Sequence, residues 1–271
     1  MNYVYANDAV IPALGLGTWQ LKGKTAQRIT EQALEVGYRH IDTAQMYGNE
    51  GAIGKALTSS SVDRSALFIT TKVWWENLEG NKFSRSVEAS LTQLGIDYID
   101  LLLIHWPHPK LEPESYLEHL VRMQEQERTR HIGVSNFPPA LVERVVATGA
   151  RLVTNQVEYH PFLDQSAVLA TCRNHGLSLT AYTPLAKGKA LTTDPISNIA
   201  RRHGKTPAQI CLRWHIQQDA VIAIPKTSTP ARLKENIDLF DFQLSNHEMA
   251  QITALSQHDE RLVDPEFAPD W

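Results

Sequence analysis

Three short apolar runs each end on an ionisable side chain. Asp42 closes Arg39-His40-Ile41-Asp42, Lys72 closes Leu67-Phe68-Ile69-Thr70-Thr71-Lys72, and His105 closes Ile99-Asp100-Leu101-Leu102-Leu103-Ile104-His105; Tyr47 lies just beyond the first run. In a parallel barrel the carboxyl ends of the strands converge on one rim, where active sites lie. A free phenol holds its proton at neutral pH, with a pKa of about 10. A nearby ammonium favours phenolate and makes the phenol a better proton donor. Lys72 would supply that ammonium, Asp42 its counter-ion, and His105 a hydrogen bond that orients a carbonyl oxygen. The set suits reduction of a C=O group, where negative charge develops on oxygen as hydride arrives. Taken singly, each residue has a plainer reading: a packed tyrosine, a structural salt bridge, a satisfied histidine. Those readings do not explain a shared rim position. His105 and His108 lie three apart and raise a metal site. Trp106-Pro107 breaks helical spacing between them and no carboxylate–histidine cluster accompanies them, so no metal is expected.

The elements that must carry these residues alternate. Strand-like runs fall at Ala13–Trp19, Tyr38–Thr43, Leu67–Val73, Tyr98–His105, His131–Ser135, Leu152–Val157, Ser178–Thr183 and Val221–Pro225. They are short, rich in Val, Ile and Leu, and not cleanly alternating, as buried parallel strands are. Amphipathic stretches at Lys24–Val36, Lys82–Leu94, Leu141–Ala147, Ala167–His175 and Pro207–Ile216 read as helices. Gly37, Gly95, Gly149 and Gly176 suit their C-caps, and Ser84, Asp164 and Thr206 suit N-termini. Asp42, Lys72, His105 and Ser135 recur at intervals of 30, 33 and 30 residues, the length of a strand, a helix and two loops. Eight such units without a linker predict an α/β fold, a single-domain (β/α)8 TIM barrel over residues 1–271. Tyr3–Ile11 is expected to form an N-terminal β-hairpin cap turning at Asn7-Asp8. The end, Asp264–Trp271, is expected to drape near the rim.

No Gly-x-Gly-x-x-Gly follows a strand, so a Rossmann-type cofactor site is not indicated. A cationic segment follows the last strand instead, Ile224-Pro225-Lys226-Thr227-Ser228-Thr229-Pro230-Ala231-Arg232-Leu233-Lys234-Glu235-Asn236. It joins a hydroxyl-rich turn to a helix N-terminus, which makes an anion site; a capped surface helix is the plain alternative. Ser135, Asn136 and Gln156 offer donors and acceptors suited to a carboxamide, and Tyr182 could stack on an aromatic ring. Pro184-Leu185-Ala186-Lys187-Gly188 is a basic turn able to span a pyrophosphate. Trp19, Trp74 and Trp106 follow strands and could wall a substrate pocket.

The 271 residues are 42% hydrophobic and 21% charged, with a net charge of −4, which is ordinary globular composition. No basic stretch favours nucleic acid, and the apolar runs are too short for a membrane span. Met1–Asp8 lacks the pattern of a signal peptide, so Cys172 and Cys211 are expected to be reduced core thiols in a cytoplasmic protein.

Gly37-Tyr38-Arg39-His40-Ile41-Asp42-Thr43-Ala44-Gln45-Met46-Tyr47-Gly48-Asn49-Glu50 resembles the aldo-keto reductase signature. So do Ile132-Gly133-Val134-Ser135-Asn136-Phe137 and Ile224-Pro225-Lys226 through Asn236. The resemblance covers nearly the whole chain and implies a (β/α)8 barrel that reduces carbonyls with NADPH. It carries the catalytic tetrad onto Asp42, Tyr47, Lys72 and His105. It puts the nicotinamide on Ser135, Asn136, Gln156 and Tyr182, and the adenosine 2′-phosphate on Lys226, Ser228 and Arg232, with Glu235 and Asn236 near the adenine. Thr18, Trp19, Leu185, Lys187, Gly188 and Thr227 complete the implied cofactor contacts. Within the family the chain is most similar to bacterial 2,5-diketo-D-gluconate reductases, some of which also reduce methylglyoxal, and a monomer is the family's usual state. Three features set it apart. Gly51 stands where many relatives have Glu and is expected to loosen the helix start beside Tyr47. Gln124-Glu125-Gln126-Glu127-Arg128 lacks a usual glycine. The loop after the seventh strand, Pro184 to Pro195, is short and predicts fast NADPH exchange. Two other readings remain: an NADPH-binding sensor or interaction subunit with slow turnover, and an aldolase-like barrel using Lys72 as a Schiff base.

Overall fold

The computed structural model describes residues 2–271. Strands β1 (Tyr3–Ala6) and β2 (Ala9–Pro12) pair antiparallel with Ala6 opposite Ala9, so Asn7-Asp8 is the turn. Asn7 adopts a left-handed φ of 49°, which asparagine tolerates in tight turns. Its side chain donates to the Leu152 carbonyl at 2.6 Å, which ties the hairpin to the barrel. Ala6, Ala9 and Ile11 pack with Phe68, Leu101 and Leu103 in one buried cluster.

Eight parallel strands follow in sequential order: β3 (Leu16–Gly17), β4 (His40–Asp42), β5 (Phe68–Val73), β6 (Ile99–Ile104), β7 (Thr129–Ser135), β8 (Leu152–Glu158), β9 (Ser178–Tyr182) and β10 (Val221–Ala223). The sheet closes through a parallel bridge between Leu14 and Ala223, and Gly17 N donates to the Pro225 carbonyl at 3.0 Å. Gly17 is required at this seam, because a Cβ there would sit 2.5 Å from the Ile224 carbonyl oxygen. The helices are α1 (Gly23–Glu35), α2 (Glu50–Ser59), α3 (Gly80–Leu94), α4 (Pro113–Glu125), α5 (Pro139–Val146), α6 (Ser166–Asn174), α7 (Asp194–His203), α8 (Pro207–Ile216), α9 (Pro230–Ile237) and α10 (Asn246–Thr253). They turn their apolar stripes inward; α1, for example, buries Ala26, Ile29, Ala33 and Leu34.

Several local expectations shift. The first barrel strand is Leu16–Gly17 rather than Ala13–Trp19: Leu14 pairs only through the isolated bridge to Ala223, and after Gly17 the chain turns, with Leu21 N donating to the Thr18 carbonyl. Ser84 is not an N-cap: α3 starts at Gly80 so that Phe83 and Val87 reach the core. The helix at Ser166 is capped by Gln165, while Asp164 accepts from Ser166 N at 2.9 Å one residue earlier. Thr206 caps α8 with a full capping box. Gly51 does not displace the start of α2. The helix begins at Glu50, whose buried carboxylate accepts from Thr71 Oγ1 (2.6 Å) and Ser90 Oγ (3.2 Å). Among the described residues, no helix is long and apolar enough to cross a membrane.

Candidate active site

Parallel register brings the strand ends to one level. Gly17 stands opposite Asp42, Asp42 opposite Thr70, Lys72 opposite Leu103, and Ser135 opposite Gln156. His105 follows β6, held by a bond from its N–H to the Val73 carbonyl at 3.0 Å. Tyr47 ends a single 3-10 turn, Gln45–Tyr47, just past β4. The Lys22 ammonium donates to the Tyr47 carbonyl. Asn49 locks the same loop, accepting from Thr43 Oγ1 at 2.7 Å and donating to the Thr18 and Leu21 carbonyls at 3.0 and 3.1 Å. Gln45 accepts from Trp74 N at 3.2 Å and ties the turn to the pocket wall. Lys22 carries no functional signal in the sequence, while Gln45 and Asn49 lie within the Gly37–Glu50 signature.

Lys72 is fully buried. Its ammonium donates to Asp42 Oδ1 at 2.5 Å and to the Thr43 carbonyl at 2.8 Å, and lies 5.2 Å from the centre of the Tyr47 ring. The His105 ring stands edge-on to Tyr47 at 5.6 Å. Burial, aided by the Lys72 charge, holds His105 well below the usual imidazole range, so the ring is neutral. Its Nδ1 is buried with no hydrogen-bond partner among the described residues. Burial also lowers Lys72, and Asp42 opposes that shift. Tyr47 goes the other way from the sequence expectation. Burial, then Asp42 and Tyr182, push the phenol well above its usual range. The physical reason is burial of the phenol, which disfavours its charged form, and the nearby Asp42 carboxylate adds to it by opposing a second negative charge. In this state Tyr47 therefore keeps its proton. Lys72, enclosed and doubly bonded, is not disposed as a Schiff-base amine.

A second network adjoins the first. Gln156 Nε2 donates to Asp42 Oδ2 at 2.8 Å. Ser135 Oγ donates to the Gln156 carbonyl at 2.8 Å, and Asn136 Nδ2 donates to the His105 carbonyl at 2.9 Å. Tyr182 OH donates to Asn136 Oδ1 at 2.7 Å. Asn136 has φ 63°, a left-handed conformation that asparagine takes more readily than most residues. Residues 13–257 match the model of the aldo/keto reductase family.

The chain belongs to the aldo/keto reductase family.

It is 42% identical over 266 residues to methylglyoxal reductase DkgB of Escherichia coli O157:H7, covering 96% of this chain and 99% of that one. It superposes with a TM-score of 0.98 at 45% identity on the structure of a provisionally assigned 2,5-diketo-D-gluconic acid reductase B, covering 100% of this chain and 97% of that one. The aldose reductase of Schistosoma japonicum matches with a TM-score of 0.94 at 32% identity, over 99% of this chain and 96% of that one. As an aldo/keto reductase the chain is an oxidoreductase of carbonyl groups and uses a nicotinamide cofactor.

The reductase's other expected residues divide. Trp19 packs on Tyr47 at 4.9 Å between ring centres while 45% exposed, Trp74 stands edge-on to His105 at 5.2 Å, and Trp106 is buried nearby against Phe267. Lys226, Ser228 and Arg232 are exposed where the chain leaves β10 and enters α9. Neither cation has an ion-pair partner among the described residues, whereas Lys205 is taken by Asp238 and Asp241. Glu235 accepts from Thr206 Oγ1 at 2.7 Å, and Asn236 is buried beside it. Some expected cofactor groups are already committed within the protein. Thr18 Oγ1 donates to the Asp42 carbonyl at 2.9 Å, and Thr227 Oγ1 accepts from Thr229 N at 3.0 Å. Leu185 precedes a kinked 3-10 segment, Ala186–Thr192, where Lys187 and Gly188 have φ of 52° and 100°. Lys187 does not reach free into solvent: its ammonium donates to the Leu262 carbonyl at 2.9 Å. His108 Nδ1 accepts from Lys110 N and Leu111 N at 3.0 Å each, which occupies it as a turn cap.

Proposed function

We propose that this protein is an NADPH-dependent reductase of small aldehydes and ketones, including dicarbonyls such as methylglyoxal and keto sugar acids such as 2,5-diketo-D-gluconate, acting as a cytoplasmic monomer. The observation that carries the reading is the junction at Asp42. One carboxylate oxygen holds Lys72 beneath Tyr47, and the other holds Gln156 of the amide network. A proton-donating half and a carboxamide-binding half are thereby fixed to each other in one buried unit. The donor set fits a phosphorylated dinucleotide, because Lys226 and Arg232 are cations with no ion-pair partner among the described residues, in the turn and first part of a helix.

When bound, the cofactor supplies hydride to the carbonyl carbon. The protein supplies the rest. His105, neutral through burial, can donate one hydrogen bond to the carbonyl oxygen without giving up a full proton. Tyr47 holds its proton until negative charge grows on that oxygen, then passes it on. Lys72 lies close enough to the ring to stabilise the phenolate that remains. Ser135, Asn136 and Gln156 would orient the nicotinamide amide, and Lys226, Ser228 and Arg232 would read the 2′-phosphate. Trp19, Trp74 and Trp106 exclude water and bound the pocket for a small substrate.

Steady-state NADPH oxidation over a panel of methylglyoxal, 2,5-diketo-D-gluconate and aromatic aldehydes tests the reading. Carbonyl-dependent oxidation is expected, strongest for the small dicarbonyls. Absence of turnover with every member would overturn it.

A further inference from the structure

One buried charge on this rim has no part in the chemistry above. Glu158, the last residue of β8, is fully buried. His160 Nε2 and Leu262 N lie 3.0 and 2.8 Å from its Oε1, and Val263 N lies 2.9 Å from its Oε2. Phe162 N donates to His160 Nδ1 at 3.3 Å, which leaves Nε2 as the ring's donor, facing Glu158. Gln165 Nε2 donates to the Glu158 carbonyl at 2.7 Å and fixes the backbone. Two consecutive backbone N–H groups of the C-terminal tail thus end on the two oxygens of one side chain.

The neighbouring ties follow the same path. Glu260 N donates to the Phe162 carbonyl at 2.7 Å, Lys187 reaches the Leu262 carbonyl at 2.9 Å, and Lys189 pairs with Glu260. Beyond Val263 the chain turns, with Ala268 N donating to the Pro265 carbonyl at 2.8 Å. The proline restricts the backbone between clamp and turn. The turn sets Phe267 against Trp74 and Trp75, each at 5.7 Å, and Trp106 at 5.5 Å. Trp74 in turn faces His105.

We propose that Glu158 is a positioning residue for substrate selection: its carboxylate clamps the tail at Leu262 and Val263, and so fixes Phe267 as the closing wall of the pocket beside His105. Phe267, packed on Trp74, Trp75 and Trp106, is the side chain through which the clamp acts on substrate choice. The kinetic part of this inference rests on the reductase reading; the clamp itself does not.

The test compares Glu158→Gln, Phe267→Ala and the double variant in the full-length protein. A glutamine keeps the size but has one oxygen for three donors, so an N–H of the tail must face an NH2. The Arg261–Leu262 peptide contains the clamped Leu262 N–H, so trypsin nicking there reads the clamp directly. Glu158→Gln is expected to speed that nicking about tenfold or more, because cleavage tracks the open population. It should also change the near-ultraviolet circular dichroism of the tryptophan cage as Phe267→Ala does. The ratio of KM for methylglyoxal to KM for benzaldehyde should shift about fivefold in the same direction in both single variants, with kcat nearly unchanged, and no further in the double. Unchanged nicking overturns the clamp. Faster nicking with a wild-type dichroism signal and KM ratio overturns the role in positioning, as do additive shifts in the double variant. Val263→Pro deletes one donor without altering Glu158. It should reproduce the dichroism and KM changes, and wild-type behaviour in it overturns the proposal even if Glu158→Gln does not fold. If the wild-type protein reduces no carbonyl, the reductase reading fails, while nicking and dichroism still decide the clamp.

Discussion

Replacing Asp42 by Asn probes the junction on which the site is built. The amide keeps the shape and removes the charge. Asp42 now accepts from Lys72 on one oxygen and from Gln156 Nε2 on the other. An asparagine offers one acceptor to two donors, so its NH2 must face an N–H. Breaking a buried ion pair typically costs about 3–5 kcal/mol. The protein has one escape: Lys72 can give up its proton and accept from the new amide. From an unfolded pKa of about 10.4, that escape costs about 4.6 kcal/mol at pH 7 and about 1.9 kcal/mol at pH 9. In the variant the folded pKa of Lys72 is depressed, so the unfolded state binds more protons and stability rises with pH up to the unfolded value. The expected destabilisation is therefore about 3–5 kcal/mol at pH 7 and no more than about 2 kcal/mol at pH 9. Urea unfolding of wild type and variant at both pH values reads the difference. Adding Lys72→Met should recover part of the loss. A penalty below about 1 kcal/mol at pH 7, or one that is the same at both pH values, would refute the reasoning.

Three further outcomes follow from other parts of the molecule. Arg232→Ala should weaken NADPH binding by about 1.5–3 kcal/mol and leave NADH nearly unchanged, since it removes a charged phosphate partner; equal losses by fluorescence titration would show that Arg232 does not read the phosphate. Glu127 lies just past the C-cap of α4 with φ 58°, a left-handed conformation that glycine adopts without strain, so Glu127→Gly should stabilise the fold by about 1 kcal/mol in thermal or urea unfolding; destabilisation would mean that the side chain matters more than the strain. His40 and His215 are each held to about 4 by burial, with weaker contributions from their neighbours. Between about pH 4 and 6.5 both are neutral in the fold and charged in the unfolded chain, so stability is full above about pH 6.5 and is lost as pH falls towards 4. Each contributes a slope of about 1.4 kcal/mol per pH unit in that window, and His215→Gln should remove one such contribution from the pH dependence of the urea midpoint.

Much of the barrel is legible in the sequence because local chemistry and global fold agree. Asp42, Lys72, His105 and Ser135 end apolar runs, and the 30-residue interval leaves room for one helix each. Register then brings them together without further information. The Asn7-Asp8 turn and the Thr206 capping box are equally local. Helix α4 is absent from the expected elements, although Pro113 opens it and Tyr116, Leu117, Leu120 and Met123 form its buried stripe. What local pattern does not encode is which charge meets which. The upward shift of Tyr47 comes first from how deeply the rim buries the phenol, which no local pattern shows. Lys187 reads as a free cation until the tail, 75 residues on, presents the Leu262 carbonyl. Glu158 and Phe267 carry no sequence signal for the same reason: their partners are set by how the tail lies on the closed barrel.

The central claim is that Tyr47 delivers the proton in carbonyl reduction. Tyr47→Phe removes one oxygen from a buried ring whose neighbours are Trp19 and His105. Steady-state methylglyoxal reduction should fall by a factor of about 10²–10⁴ in kcat, while NADPH fluorescence quenching on binding stays at the wild-type level. Retention of wild-type turnover by Tyr47→Phe would contradict the account.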